Sequence, residues 1–410
     1  MLSRSGLRAR LTSLGRAGLQ SSLTTNAPFD RAVRGDPEWA TKTVPIRELL
    51  DRLRAQEMCR KMRNDDKWEY FQEAYDMLAS LQPGEPDVSL GEIDQMLPRG
   101  NPAAWAVIDS ISKGRPDSYI QQRTEVDLAA SQFLRIHSIG RIQAARLAEA
   151  GLRTLDDLAA WPKITKSQML SLNRLPAMDN MIPRHEMNSF KARLEEICDP
   201  RQISEAPDIT FEIVGPYRCG LEYSPSINVL VYSDAYVELG TKTDILDYVY
   251  HRVMSNGLIP KDEMLSVAKK SDRRHILGYT RANHQSPWRF MSLKLVPRNQ
   301  LSLTLVQETG DGFLWRMLRG QAKRKGYRLY RNYVEWSPRS PSAKKGGVKQ
   351  VVDRPPQPQT EKEVFDLAEV PYLEPHQRTY RVYRNILPTK ILEERSAPWS
   401  DEFLKGALGK

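Results

Sequence analysis

Two small polar side chains, Ser226 and Asn228, open the apolar part of the stretch "YSPSINVLVYSD", residues 223–234. Residues two apart on a strand point to one face, so this is a spacing at which paired carboxylates would grip a divalent cation. Here a hydroxyl and an amide stand in that place. Neutral oxygens do not offset the charge of a divalent cation as a pair of carboxylates would. The acids that could substitute are Glu222 and Asp234, close by in sequence, and Glu308 and Asp311 further along the chain. Asp234 comes eight residues after Ser226, roughly 26 Å along an extended chain. Asp311 has the position of a helix cap. Structural roles are expected for all four.

Phosphate binding is the second chemistry the residues could support. In "HSIGRIQAARLAEAGLRTLDDL" a turn at Ser138-Ile139-Gly140 separates two helical patterns, and Arg141 follows it directly. Such a turn points backbone N–H groups of a helix N-terminus at one phosphate without reading a base. From Arg316 to Lys349 the chain carries eleven Lys or Arg against the single acid Glu335, a net +10 that equals the surplus of the whole sequence. Arg316, Arg319, Lys323, Arg324, Lys325 and Arg328 belong to this run, and the first four fall largely opposite an apolar face of Phe313, Leu314, Met317 and Leu318. Tyr327, Tyr330, Tyr333 and Trp336 are interleaved with it or follow it. Unbalanced like charge costs stability unless a polyanion relieves it, so nucleic acid is favoured over a merely solvated face.

The elements that position these residues fall into two halves. Helical periodicity dominates from Val44 to about residue 200, including "IRELLDRLRAQEMCRKM" and "WEYFQEAYDMLASL". After Pro207, "DITFEIVG", "SINVLVYS", "RFMSLKLVP" and "LSLTLVQ" read as strands, with "TDILDYVYHRVMSNG" and "DGFLWRMLRGQAKRKG" as helices. The Pro-, Lys- and Ser-rich segment 337–360 reads as a flexible loop, and the tail after Arg378 shows no core role. A length of 410 residues allows two to four domains. No apolar run approaches the roughly 20 residues of a membrane span. Cys59, Cys198 and Cys219 lie far apart, which indicates neither a disulfide framework nor a zinc site. The first 29 residues interleave Leu with Arg4, Arg8, Arg10 and Arg16 and hold no acid, the composition of a mitochondrial transit peptide.

The order of segments from about Trp68 to Arg378 resembles family X DNA polymerases of the β type. "IHSIGRIQAARLAEAGLRTLDDL" is similar to that family's second helix-hairpin-helix, and "MIPRHEMNSFKARLEEI" to the helix entering its palm. "VGPYRCGLEYSPSINVLVYS" and "RFMSLKLVPRNQLSLTLVQETGDGFLWRMLRGQAKRKGYRL" resemble the segments carrying its metal-binding aspartates and its "TG" turn. "EKEVFDLAEVPYLEPHQR" resembles its closing segment. The resemblance implies an α+β fold: an α-helical N-terminal region with helix-hairpin-helix units, a nucleotidyltransferase palm with a mixed sheet, and a small C-terminal α/β subdomain. It also places Ser226, Asn228 and Ser292 where the family carries aspartates, and Val107 near the family's Schiff-base lysine, with Ala103 one turn earlier. Gly215-Pro216 and Gln307-Glu308 replace a Gly-Ser pair and a sugar-contacting aromatic pair.

The expected organisation is a transit peptide over 1–29, a helical extension over 30–66, a lyase-like helical domain over 67–125 and a helix-hairpin-helix domain over 126–200. The palm follows over 201–310, the C-terminal subdomain over 311–378 and an extension over 379–410. With three aspartates and a lysine replaced, the expectation is a chain that is not an enzyme and takes neither metal nor cofactor. It would bind DNA or RNA by backbone contacts through Ser138, Gly140, Arg141 and the basic run, with protein partners in a mitochondrial complex such as the ribosome. The alternatives are a mitochondrial DNA repair factor with a displaced metal site, and a protein-interaction scaffold.

Overall fold

The computed structural model describes residues 37–393 apart from 82, 83, 85, 99, 200–207, 242, 269–273, 338–354 and 356. The transit peptide, most of the basic loop and the last residues of the tail therefore lie outside the described residues.

Six helices build the first part: α1 (Pro37–Thr41), α2 (Ile46–Met62), α3 (Trp68–Leu78), α4 (Leu90–Met96), α5 (Pro102–Ser112) and α6 (Ser118–Gln121). On α2 the buried Ile46, Leu49, Leu50 and Leu53 recur at three and four residues, which is why this stretch folds as a helix with one face inward. Strands β1 (Thr43–Pro45) and β2 (Asp87–Ser89) pair antiparallel and bring the starts of α2 and α4 together. Ser89 caps α4, and Asn101 caps α5 by accepting from the Ala104 N–H at 3.1 Å, with Pro102 at the first helical position.

The hairpin region consists of α7 (Glu125–Phe133), α8 (Arg141–Glu149), α9 (Leu155–Ala159), α10 (Lys166–Asn173) and α11 (Leu175–Asp179). Thr124 with Asp127 and Thr154 with Asp157 form capping boxes, the second of them legible in the sequence. Phe133, Ile136, Ile139, Ala144 and Leu147 make a small separate core under the turn.

The palm begins with β3 (Ile182–Pro183), α12 (Arg184–Ile197), β4 (Thr210–Ile213) and β5 (Tyr223–Ser224). It continues through β6 (Ile227–Tyr232), α13 (Ile245–Ser255), β7 (Met264–Ala268), β8 (His275–Thr280) and β9 (Arg289–Leu295). The five-stranded sheet has the order β4-β6-β9-β8-β7, with β6 and β9 parallel and the remaining pairs antiparallel. Val229, Val231, Met291 and Leu293 bury one face against Met187, Phe190 and Leu194 of α12 and Leu246 and Val249 of α13. Each such aliphatic side chain contributes about 1.5–3 kcal/mol. The alternating residues of β6 and β9 point to the opposite face, which is the one that matters below.

One expectation is corrected at "LSLTLVQ". These residues lie in a helix, α14 (Arg298–Glu308), and not in a strand. Leu301 packs on Val214, Leu230 and Val296 of the palm, while Leu303 and Val306 pack into the core shared by the two ends of the chain. A helix buried on two sides has no single apolar stripe, so its pattern imitates the alternation of a strand.

The C-terminal part contains α15 (Gly312–Arg324), β10 (Tyr327–Leu329), β11 (Val334–Trp336), α16 (Glu361–Leu367), α17 (Tyr380–Tyr383) and α18 (Thr389–Glu393). Gly310, in the turn before α15, has φ +115°, and a Cβ there would meet the backbone oxygen of Arg378 at 3.0 Å, so only glycine suits it. The end of segment 337–360 is not a loose loop: Gln357 donates to the Val334 carbonyl at 3.1 Å, and Ser302 donates to the Pro358 carbonyl at 2.6 Å. The tail also has a core role that its composition hid, since Tyr383 and Leu387 are buried. Arg384 Nη1 donates to the carbonyl of Asp94 at 2.6 Å. Leu49, Phe71, Ile93 and Trp105 from the first helices share one continuous core with Leu303, Phe313, Met317, Phe365 and Tyr383 from the last.

Candidate nucleic-acid interface and palm site

The sheet register brings the three sequence-singled positions together. Asn228 on β6 lies opposite Ser292 on β9, and the Asn228 Nδ2 donates to the Ser226 Oγ at 3.0 Å. All three are partly exposed on the face that α12 and α13 leave uncovered. Two residues along β9, Lys294 lies opposite Leu230, with its ammonium 3.5 Å from Glu308 at the end of α14. Lys294 was missed in the sequence, although alternation from Ser292 puts it on the same face. The site thus consists of two hydroxyls, an amide and an ion pair.

The four substitute acids are held in structural roles or stand apart. Asp234 pairs with Arg298 at 3.1 Å, and Glu308 faces Lys294. Glu222 is exposed just before β5, and its carbonyl accepts from the Arg184 N–H at 2.8 Å. Asp311 caps α15 as expected, accepting from the Leu314 N–H at 2.8 Å, and also takes the Tyr380 N–H at 2.7 Å and the Tyr383 hydroxyl at 2.8 Å. Burial pushes its carboxyl up to about 6 against the pull of those donors. Among the described residues no group of three or more His, Cys, Asp or Glu is placed to hold a metal ion. The neutral donors at 226, 228 and 292 therefore do not fit the pair of divalent ions that the resemblance implies. Val107 is buried on α5, packed into the shared core.

At the hairpin turn the geometry suits a phosphate. Ser138 has φ +63°, and Gly140 is the N-cap of α8 with φ −86° and ψ 171°. The first-turn N–H groups of α8 have no intrahelical acceptor, and Arg141 beside them is exposed. Arg135, near this turn, is tied to Asp179 at 2.6 Å.

The basic run is less continuous than its composition suggested. Arg316 turns inward, paired with Glu73 of α3 and lying 5.0 Å from the centroid of the Tyr70 ring. Lys325 pairs with Glu369, and Arg328 Nη1 donates to the Tyr330 hydroxyl at 3.1 Å. Arg319, Lys323 and Arg324 are exposed on α15. The expectation of a single cationic face is thus corrected for Arg316, whose charge offsets a carboxylate with 2 % of its side chain exposed. Glu73 could have given this away, because it lies among Phe71, Ala74 and Met77 on the inward face of α3, and a charge there requires a partner.

A mixed-sheet palm joined to a helix-hairpin-helix region and a basic C-terminal subdomain makes up an α+β fold of the DNA polymerase β type. Comparison with known proteins agrees. Residues 131–175 match the fingers domain of DNA polymerase lambda, and residues 304–379 match the DNA polymerase beta thumb. DNA polymerase lambda of Arabidopsis thaliana is 28% identical over 255 residues, covering 60% of this chain and 46% of that protein. DNA polymerase lambda of Rattus norvegicus is 25% identical over 251 residues, covering 60% and 42%. The chain spans less than half the length of these curated relatives. It is a family X DNA polymerase-like protein.

These matches overturn the expectation that the chain is not an enzyme. Both matched domains are polymerase domains and both relatives are named as polymerases, so the class they suggest is a DNA polymerase enzyme. No helix among the described residues is long and apolar enough to cross a membrane.

Proposed function

We propose that the protein binds the sugar-phosphate backbone of nucleic acid through the turn at Ser138, Gly140 and Arg141 and the exposed Arg319, Lys323 and Arg324. We place this activity in the mitochondrial matrix, in a ribonucleoprotein such as the ribosome, with other proteins of that particle as partners. The observation that carries the reading is the cationic surplus on and beyond α15, together with a hairpin turn whose helix N-terminus and Arg141 are open to solvent. The acid-free, Arg-containing first 29 residues support the compartment. Sedimentation of the native protein with organellar ribosomal particles is the expected result, and co-migration with organellar DNA alone would remove the ribonucleoprotein.

Binding is expected to weaken steeply as salt rises. Arg319→Ala combined with Lys323→Ala should lower the slope of log affinity against log salt by about 2 and weaken all sequences alike. An unchanged slope in a fluorescence anisotropy titration would place the phosphate contacts elsewhere.

A second reading, favoured by the names of the relatives, is DNA synthesis in mitochondrial DNA repair with a metal held by displaced carboxylates. Primer extension on a gapped template with Mg²⁺ or Mn²⁺ decides it: template-dependent incorporation abolished by Glu222→Gln or Glu308→Gln establishes the displaced site, and no incorporation by a protein that binds the template removes it.

A further inference from the structure

The hairpin of β10 and β11 carries a feature that phosphate binding does not use. Its tip, Tyr330 to Tyr333, is closed by the Tyr330 N–H donating to the Tyr333 carbonyl at 2.9 Å. The two tyrosine rings stack across the turn, with centroids 4.6 Å apart and planes at 18°. Tyr333 is nevertheless 38 % exposed, the most exposed large aromatic of the described residues. At the base of the hairpin Tyr327 stacks on Trp336 at 5.3 Å, and between the two stacks Leu329 and Val334 are buried in the shared core. The strands are thereby fixed and the tip is presented rigidly.

Charge surrounds the tip. Arg328 holds the edge of the Tyr330 ring through its hydroxyl, and Arg331 is exposed in the turn itself. Cross-strand stabilisation accounts for the pairing of the rings. It does not account for Tyr333 staying exposed at a tip where Arg331 is exposed too and Arg328, which pairs across the strands with Glu335, meets the Tyr330 hydroxyl, an arrangement that an unpaired base with its flanking phosphate would complete. A base stacks on an aromatic plane whatever its identity, and Arg meets the phosphate. Double-stranded nucleic acid, whose bases are already stacked, offers no such face.

We propose that Tyr333, backed by Tyr330 and flanked by Arg328 and Arg331, is a stacking platform for an unpaired nucleobase, so that the C-terminal subdomain takes single-stranded nucleic acid. The platform rests on the nucleic-acid reading above. The rings need no ordering on binding, because each already constrains the other.

The test measures anisotropy of three labelled probes, an oligothymidylate, an oligouridylate and a duplex of the same length, with the full chain at one salt concentration. Tyr333→Ala should weaken single strands by roughly tenfold or more and leave the duplex within about twofold. Tyr333→Phe should bind single strands as the parent does, since the ring and not the hydroxyl is used. Salt slopes separate the roles: Tyr333→Ala leaves the slope unchanged, and Arg331→Ala lowers it by about 1. Stronger binding of one strand type identifies whether the single strand is RNA or DNA, either of which supports the platform. Equal loss on single strands and duplex, or no loss on either, overturns it while the nucleic-acid reading stands. A parent chain that binds none of the probes overturns both. A small drop in melting temperature is expected for Tyr333→Ala, which loses the cross-strand stack, and none for Tyr333→Phe, which keeps it.

Discussion

Replacing Arg378 by methionine is expected to destabilise the protein by about 3–5 kcal/mol in urea unfolding. The Arg378 side chain is wholly buried and tied at every reach of its fork. Its Nε donates to the Leu373 carbonyl at 2.9 Å, Nη1 meets Glu361, Nη2 reaches the Tyr372 hydroxyl at 3.4 Å, and the plane lies 5.3 Å from the Phe365 ring. Glu361 is held on its other side by Arg218 at 2.7 Å, and Arg218 also reaches Glu212 at 2.9 Å, so one carboxylate joins the buried Arg378 to the partly buried Arg218 and links the thumb-like part to β4 of the palm. Truncating Arg378 leaves a carbonyl without its donor and half of a carboxylate without its partner. Burial pushes the Glu361 carboxyl up, but the Arg218 hydrogen bonds and the charges of Arg378 and Arg218 outweigh it and hold the group below its ordinary range. A depressed carboxylate gives stability that is present above its unfolded pKa and lost as pH falls through the lower folded one. Acid should therefore destabilise the parent more than the variant below about pH 4. A change in unfolding free energy under about 1 kcal/mol, or identical acid sensitivity, would show that the network is dispensable.

Glu73→Ala is expected to have a comparable effect by another route, about 3–5 kcal/mol. It removes a carboxylate that pairs with Arg316 at the junction of α3 and α15. Because Phe71 and Ala74 on the same face belong to the core shared with Phe313 and Met317, the junction itself is weakened. Both parts should then become protease-sensitive together, visible as simultaneous loss of the N-terminal and C-terminal fragments in a time course. Glu73→Leu with Arg316→Met should recover much of the loss, since a buried pair exchanged for apolar side chains of similar volume is often neutral or stabilising. Failure of the double variant to recover would mean that packing, and not the loss of the Glu73–Arg316 ion pair, sets the cost.

Much of the architecture was legible because it is written locally. The hairpin turn, the Thr154 cap, the Asp311 cap and strand β6 each follow from a few adjacent residues. Ser226, Asn228 and Ser292 converge as the segment order implied, since parallel pairing of β6 and β9 fixes Asn228 opposite Ser292. What stayed hidden depends on distant partners. Arg316 looked like a surface cation because nothing in its own helix discloses Glu73, 243 residues earlier. The helix α14 looked like a strand because its two buried sides face different cores. The β7–β8 hairpin was passed over: "MLSVA" and "HILGYT" are short, and each has partly buried residues on both faces. The tail after Arg378 looked idle because Tyr383 and Leu387 are too few to form a pattern, yet they fill a core laid down by the first helices.

The contact between Arg384 and Asp94 spans 290 residues of chain. At the usual pace of synthesis, about 5–20 residues per second, the early helices must wait roughly a quarter of a minute to a minute for the side chains that finish their interior. Throughout that interval Leu49, Phe71, Ile93 and their neighbours have an open flank. A nascent chain of this design needs shelter from chaperones for longer than its helical first half would suggest, and damage near residue 384 would surface as misfolding of the opposite end.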